Sequence, residues 1–332
     1  VSCVAIILVN WNCWTDTVEC LDSLLRLAYA NFRIVVCDND SRDDSVARIR
    51  EWALQQQVGY TEYPRAVAEA GGDPAAAPLL TLIKAGANLG FAGGNNVALR
   101  HVLVRKEAGF CWLLNNDTVV EPDTLTHLVA RMEQEPQVGI CGSTIRYYDN
   151  RDRIQALGGG HYCHWIGLPW HYGRFSRRGA AINQARAESL MNYVEGASML
   201  VSRPFLVQVG LLCEDYFLYF EEADWAARAK EFFRLGYAEK SVVYHKVGRS
   251  IGTDSNPRRK SLACDYYNIR NRMLFTRRFY PSALLAVRLV ILAELLMRIC
   301  LGKWDRVAMI SRILLGKPDR QFDLQPEHCA KP

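Results

Sequence analysis

The first apolar run of the chain, Val4-Ala5-Ile6-Ile7-Leu8-Val9, contains no polar break. A strand with one wet face alternates apolar and polar residues, so an unbroken run predicts a strand buried on both faces. Residues 32–37 repeat the pattern with one charged residue, Arg33, near the start. Between the two runs, Thr15-Asp16 offers a helix cap, and Val18, Leu21, Leu24 and Leu25 fall on one helical face. A second capped helix is predicted over 43–57. Strand, helix, strand, helix at these lengths predicts an α/β fold with a doubly wound, mostly parallel sheet. Further strands are predicted over 79–83, 110–114 and 138–148, with helices over 97–106 (Leu99, Val102 and Leu103 as its stripe) and 122–133, opened by Pro122. Residues 192–201 read as a strand interrupted by small residues, and Pro204 opens a short helix. A helix after Trp225 is expected to run to about 235, stopped by Gly236. Residues 241–244 then form a short strand ending at His245. Residues 64–78, rich in Ala, Gly and Pro, read as a surface loop; 149–190 carry no periodic signal.

Several predicted strands and loops run abruptly into polar residues: Asn10-Trp11-Asn12, Asp38-Asn39-Asp40-Ser41, Asn88-Leu89-Gly90 through Asn95-Asn96, and Asn115-Asn116-Asp117-Thr118. In an open α/β sheet, ligands gather beyond the carboxyl ends of the strands. Hard oxygen donors there suit a divalent cation on a diphosphate. Taken alone, each cluster reads equally as turn chemistry, because Asn and Asp dominate turns for local reasons. The glycines of 90–94 would let backbone approach a ligand, although their spacing is neither GxGxxG nor a Walker A loop. A separate acidic group, Glu221-Glu222-Ala223-Asp224, precedes a helix.

The 332 residues are half hydrophobic, enough to bury a sizeable core. The net charge of +5 is uninformative until it is located. Between residues 246 and 320 there are sixteen Lys and Arg against five Asp and Glu, which leaves a mildly acidic body. A basic C-terminal quarter predicts an anionic partner: phosphate, lipid head group or nucleic acid. The eleven cysteines form no CxxC pair, and Cys37, Cys111 and Cys141 sit inside apolar runs, as expected of reduced thiols in the cytoplasm. Residues 1–11 are too short for a membrane span and lack the basic flank of a signal peptide. The apolar stretch 282–302 is interrupted by Arg288, Glu294 and Arg298. At about 100° per residue these fall within roughly 120° of one another, which predicts an amphipathic surface helix rather than a span.

Taken together, the motifs resemble a family 2 inverting glycosyltransferase of GT-A fold, in its rhamnosyltransferase-like branch. The resemblance rests on residues 6–12, 36–41, 88–96, 113–118, Glu195-Gly196-Ala197 and Tyr219 through Asp224 with Arg228, and on His245 ahead of Arg249-Ser250. It covers about the first 250 residues. It implies a catalytic domain over 1–250, with a nucleotide-sugar half at 1–120 and an acceptor half at 121–250. Val9, Trp11, Asp38 and Asn39 would line the nucleoside pocket. Asn88, Gly90 and Asn95 would approach the ribose or diphosphate beside Asn115 and Asn116. Asp117 would bind Mg²⁺ or Mn²⁺, with His245 completing the shell.

Glu222 stands where many members carry the catalytic base; Asp224 is the alternative, and a helical ion pair with Arg228 is its competing role. Glu221 would orient the acceptor. At a helix N-terminus the dipole would keep such a carboxylate ionised. Two departures matter: Asn115 replaces the first acid of the DxD motif, and Glu222 replaces the usual Asp. One charge at the metal corner predicts that metal binds mainly together with the donor.

The expected activity is transfer of rhamnose from dTDP-rhamnose, or another dTDP- or UDP-sugar, to a cell-surface glycan precursor linked to polyprenyl diphosphate. Glu195 and Gly196 would contact the acceptor, and Arg270, Arg272, Arg277 and Arg278 would meet its phosphates. Residues 251–332 would form a basic, amphipathic helical region at the inner face of the cell membrane. No nucleic-acid module is recognised. The competing class is a catalytically weak membrane-associated scaffold or glycan-binding subunit with the same fold.

Overall fold

The computed structural model describes residues 2–177, 183–246 and 261–317. The first half runs β1 (Val4–Asn10), α1 (Trp14–Leu24), β2 (Phe32–Asp38), α2 (Ser45–Gln55), β3 (Tyr60–Pro64), α3 (Arg65–Glu69), β4 (Leu80–Lys84) and α4 (Gly90–Arg105). It continues with β5 (Phe110–Leu114), β6 (Thr118–Val120), α5 (Thr124–Gln134), β7 (Val138–Tyr147), β8 (Ile154–Leu157), β9 (Gly159–Cys163) and β10 (Leu168–Trp170). Then follow α6 (Gln184–Leu190), β11 (Tyr193–Val194), β12 (Ser198–Ser202), α7 (Arg203–Val209), α8 (Glu221–Ala229) and β13 (Arg234–His245). Three helices close the described chain: α9 (Leu262–Phe279), α10 (Leu284–Cys300) and α11 (Trp304–Leu314).

The sheet order is β10, β9, β8, β7, β12, β5, β1, β2, β4, β3. Strands β5, β1, β2, β4 and β3 are mutually parallel, as the apolar runs predict. Antiparallel β12 joins β5 to β7, and β13 pairs parallel with β7 and antiparallel with β6.

Alternate residues of each central strand serve different cores. Val4, Ile6 and Leu8, with Ile34, Val36, Trp112 and Leu114, pack under α1, α2 and α5 through Leu21, Leu24, Ile49, Trp52, Leu125 and Leu128. Ala5 and Ile7, with Val35, Cys37, Cys111 and Leu113, pack under α4, α7 and α8 through Val97, Leu99, Phe205 and Trp225. This two-sided burial is why the runs carry no alternation. Cys37, Cys111 and Cys141 are buried free thiols.

Several boundaries differ from those expected. Residues 64–78 are not all loop, because α3 lies there and packs on α4. Helix α4 begins at Gly90, earlier than 97, and absorbs the glycine-rich segment. A side chain at Gly94 would meet Val9 Cγ1 at 2.8 Å, so the glycine lets this helix approach β1. Pro122 lies just ahead of α5 instead of inside it. Helix α8 stops at Ala229, and Gly236 lies within β13, where a Cβ would meet Val138 Cγ1 at 2.6 Å. The expected strand over 192–201 is two short strands separated by Glu195, Gly196 and Ala197. The unassigned 149–190 region supplies β8, β9, β10 and α6.

The C-terminal helices share a core with the body: Tyr266, Met273, Val287, Ile291 and Ile310 bury Leu218 among them. Helix α10 is amphipathic, as expected, and Arg288 is exposed. Glu294 turns inward to Arg272 at 2.8 Å, while Leu285, Leu289, Leu292 and Leu296 form the outward stripe, 43–71% exposed. Val287 and Ile291 are buried on the same side as Glu294, opposite the leucines. Among the described residues no helix is long and apolar enough to cross a membrane. Arg249-Ser250 and residues 318–332 lie outside the described residues.

Candidate active site

The polar ends of β1, β2 and β5 are joined by one hydrogen-bonded chain. Asn116 Nδ2 donates to Thr17 Oγ1 (2.9 Å), which donates to Asn10 Oδ1 (2.7 Å). Asn10 Nδ2 then donates to Asp38 Oδ1 (2.8 Å) and Ser41 Oγ (3.0 Å). Asp38 Oδ2 accepts from Ser41 N–H at 3.1 Å. Asn10, Asp38, Asn116 and Thr17 are all buried. Such a network is costly if half satisfied and rigid when complete, so it fixes the cleft floor. Val9 and Trp11 flank it, both partly buried.

On the far side, Asn39 Nδ2 donates to Asn88 Oδ1 and to Gly90 O, each at 3.0 Å, and Asn39 Oδ1 accepts from Leu89 N–H. Gly90 has φ +70°, and a Cβ there would lie 2.3 Å from Phe217 O. Asn88, Asn39 and Gly90 are therefore brought together. Asn95 is buried with its amide on Phe91 O at 2.9 Å, occupied within its own helix.

Asp117 precedes β6 and His245 ends β13. The register of those strands sets His245 opposite Thr118. This places His245 Nε2 3.3 Å from Asp117 Oδ1. His245 Nδ1 faces Gln155 Oε1 at 3.1 Å. With Nδ1–H donating there, the protonated ring gives Nε2–H to Asp117, and the neutral ring leaves the Nε2 lone pair for a cation. Burial pushes the imidazole down, but Asp117, aided by Glu195, outweighs it and holds His245 above the usual histidine range. Among the described residues no group of three or more His, Cys, Asp or Glu could hold a metal. Asp117 and His245 fit as a partial donor set that a diphosphate would complete. Asn115 is partly buried, with its N–H on Ala197 O at 3.1 Å.

Lys246, which carries no signal in the sequence, is buried beside this corner. Its Nζ contacts Asp16 Oδ1 and Glu19 Oε2, each at 2.5 Å, and its N–H donates to Asp117 O at 3.0 Å. Asp16 thus anchors a lysine instead of capping α1.

Glu221 and Glu222 open α8. Each has a buried carboxyl oxygen with no hydrogen-bond partner. The dipole does not prevail as expected: burial pushes Glu221 up to about 7, and pushes Glu222 well up, with the Glu221 charge adding to it. Two such carboxyls favour keeping a proton between them. Asp224 differs in kind. Fully buried, it takes Arg228 Nε at 2.6 Å, Arg278 Nη1 at 3.1 Å and the Tyr216 hydroxyl at 3.1 Å. Both oxygens are engaged, which fits the ion-pair role and leaves Glu222 as the candidate base.

Glu195 contributes to the fields at both Glu222 and His245. Its carboxylate meets His171 Nε2 at 2.8 Å. Burial pushes it up, but His171 wins and holds it below the usual range. His171 comes from the region without periodic signal, so nothing in the sequence points to it. A Cβ at Gly196 would meet only Phe91 Cζ, at 3.9 Å, so the backbone there is open to a ligand.

The arginines expected to meet acceptor phosphates are mostly committed. Arg272 is buried against Glu294 and Asn268, Arg278 holds Asp215 and Asp224, and Arg270 Nη1 donates to Asp215 O at 2.5 Å. Their positions on the inner face of α9 make them braces of the fold; Arg277 alone of the four is exposed.

Residues 5–192 match the family model of Glycosyl transferase family 2. The chain is 22% identical to the low-salt glycan biosynthesis hexosyltransferase Agl10 of Haloferax volcanii, over 85% of this chain and 78% of that protein. Among solved structures, a mannosyltransferase from Pyrobaculum calidifontis in complex with GDP-Man and Mn²⁺ aligns with TM-score 0.55 and 19% identity, over 95% of this chain and 74% of that one. GalNAc-T7 with UDP, GalNAc and Mn²⁺ aligns with TM-score 0.60 and 13% identity, over 85% and 49%. These likenesses carry the GT-A fold, and the family match carries the activity class. The chain belongs to glycosyl transferase family 2, and it is a glycosyltransferase.

Proposed function

We propose that this protein is an inverting transferase that moves a sugar from a nucleotide diphosphate donor to a hydroxyl of a membrane-presented glycan precursor. The carrying observation is that Glu195 lies near enough to both Glu222 and His245 for its charge to act on each, which brings two groups of different chemistry to one region. The Asp117–His245 pair suits the diphosphate, and the unpartnered Glu222 oxygen suits the acceptor proton. A bound Mg²⁺ or Mn²⁺ would supply Lewis-acid stabilisation of the departing nucleotide diphosphate. The solved relatives held with GDP-Man or UDP, each with Mn²⁺, support that donor chemistry.

In this reading Asp38, Asn39 and Asn88 hold the nucleoside, and Glu195 orients the acceptor. Glu222 takes the hydroxyl proton in a single displacement. Rhamnose from dTDP-rhamnose is the donor we favour, on the motif resemblance. A thermal-shift panel of nucleotide sugars with and without Mn²⁺ tests this. A binding donor raises the melting temperature, and we expect the largest shift from dTDP-rhamnose with Mn²⁺. No shift from any nucleotide sugar would sink the reading.

The acceptor proposal is a polyprenyl-diphosphate-linked glycan met at the cytoplasmic face of the membrane. It is supported by the outward leucines of α10, by exposed Trp304, and by the C-terminal basic charge. Leu289 and Leu296 are 58% and 56% exposed, so charging them should leave the fold intact. The double variant Leu289→Glu/Leu296→Glu is expected to bind anionic liposomes about tenfold more weakly with an unchanged melting temperature. Undiminished sedimentation with the vesicles would count against the membrane role.

A further inference from the structure

The segment that presents Glu221 and Glu222 passes through left-handed φ at Phe217 (60°), Tyr219 (68°) and Phe220 (78°), none of them glycine. Residues with a Cβ hold such a run only where their surroundings impose it. Much of that imposition comes from Asn271, on α9. Its side-chain amide donates to the carbonyls of Tyr216 (2.8 Å), Leu218 (2.8 Å) and Tyr219 (3.0 Å). Asn271 is fully buried, and its Oδ1 accepts from Arg270 Nη1 at 2.8 Å. Aspartate at this position would offer those carbonyls only acceptors, and leucine nothing, so the chemistry requires a side-chain amide.

The loop is gripped from the opposite side as well. Phe217 O accepts from Phe91 N–H at 2.7 Å, and Gly90 leaves that carbonyl room. Gly90 is itself held by Asn39 and Asn88. The turn that carries the acidic pair therefore sits between the nucleoside-facing end of α4 and the C-terminal helix α9.

We propose that Asn271 is a positioning residue for the transfer reaction: by holding three carbonyls of the left-handed turn, it aims Glu222 at the acceptor hydroxyl. This rests on the reading of Glu222 as the base. It makes α9 part of the catalytic apparatus as well as a helix that docks on the body. The effect falls on the chemical step, because Asn271 contacts no residue assigned to the donor.

The test uses the full chain carrying Asn271→Ala, in the wild-type background and in Glu222→Gln, with kcat, donor Kd by calorimetry and melting temperature measured for each. Small misplacements of a reacting group cost about 100-fold, so kcat should fall by about that factor while donor Kd stays within about twofold. Added to Glu222→Gln, the alanine should lower the residual rate by less than about threefold, since residues that act as a unit are non-additive. A residue that only stabilises the fold would act equally in both backgrounds. That additive outcome, or a kcat within about threefold of wild type, would overturn the positioning role. Full turnover by Glu222→Gln alone would overturn the base assignment and this proposal with it; loss there beside an unaffected Asn271→Ala overturns the positioning role only. Should the alanine chain not accumulate folded, Asn271→Ser, which keeps one donor, takes its place with a smaller expected fall in kcat, about tenfold, and the same overturning results.

Discussion

Glu222→Gln is expected to lower kcat by about 1,000-fold, the middle of the range that a positioned general base contributes. Donor affinity should be retained, because the nucleoside and diphosphate contacts we propose lie on β1, β2, α4 and the Asp117 corner. The wild-type pH profile carries the same signature. Burial holds Glu221 at about 7 and Glu222 well above the usual glutamate range. A base must be ionised to act, so kcat should rise with pH across neutrality instead of reaching its plateau near pH 5.

The stability linkage has the opposite sign. A carboxyl whose folded pKa is raised favours the folded state while protonated. That contribution is lost as pH rises from the usual glutamate range through about 7 for Glu221. Glu222→Gln removes one such charge and should melt higher than wild type at alkaline pH, with a smaller gain in acid. Stability surrendered at a functional carboxyl is a common trade. Undiminished transfer by Glu222→Gln would overturn the base assignment, whereas absence of transfer by the wild-type chain with every nucleotide sugar would favour the scaffold reading.

Asp117→Asn is the second large effect. Asp117 is the one carboxylate of the Asn115-Asn116-Asp117-Thr118 motif, because Asn115 and Asn116 offer amides without charge. Lewis-acid stabilisation is worth several kcal/mol, and about 1.4 kcal/mol is tenfold, so kcat/KM should fall by at least about 100-fold. Donor binding should also lose its dependence on Mn²⁺. The neighbouring imidazole reports the substitution independently of turnover. With Asp117 neutralised, burial prevails and the His245 pKa should drop, as followed by NMR titration. Wild-type protein without nucleotide should bind Mn²⁺ more weakly than roughly 0.1 mM. Tight calorimetric binding to the nucleotide-free chain would refute the donor-dependent site.

The sheet and the polar clusters at its strand ends were legible in the chain itself. Runs such as Val4 to Val9 carry their two-sided burial in every position, and local hydrophobic pattern is what decides a central parallel strand. The clusters at Asp38, Asn88 and Asp117 were visible for the same reason, since a strand that stops in polar groups announces its end. Boundaries were less legible where a neighbour overrode local preference. The glycines of 90–94 look like a loop, but their missing side chains let α4 sit against Val9 and Phe217, and the segment folds as helix.

Tertiary structure alone decided which polar groups face one another. The pairing of β6 with β13 brings His245 to Asp117, far away along the chain, and no spacing rule encodes that register. It also separated the acidic trio at the start of α8. Asp224 found two guanidinium groups and a tyrosine hydroxyl, whereas Glu221 and Glu222 were left with unpartnered oxygens and raised pKa values. The leucines of α10 lie opposite Glu294, which meets Arg272, and Asn271 on α9 donates to three carbonyls of the left-handed turn before Glu221. Sequence carries residue types and local periods, but desolvation and pairing depend on what arrives from elsewhere in the chain. Thus the fold and the polar strand ends could be read directly, while which acid is paired and which is left unpartnered required the folded protein.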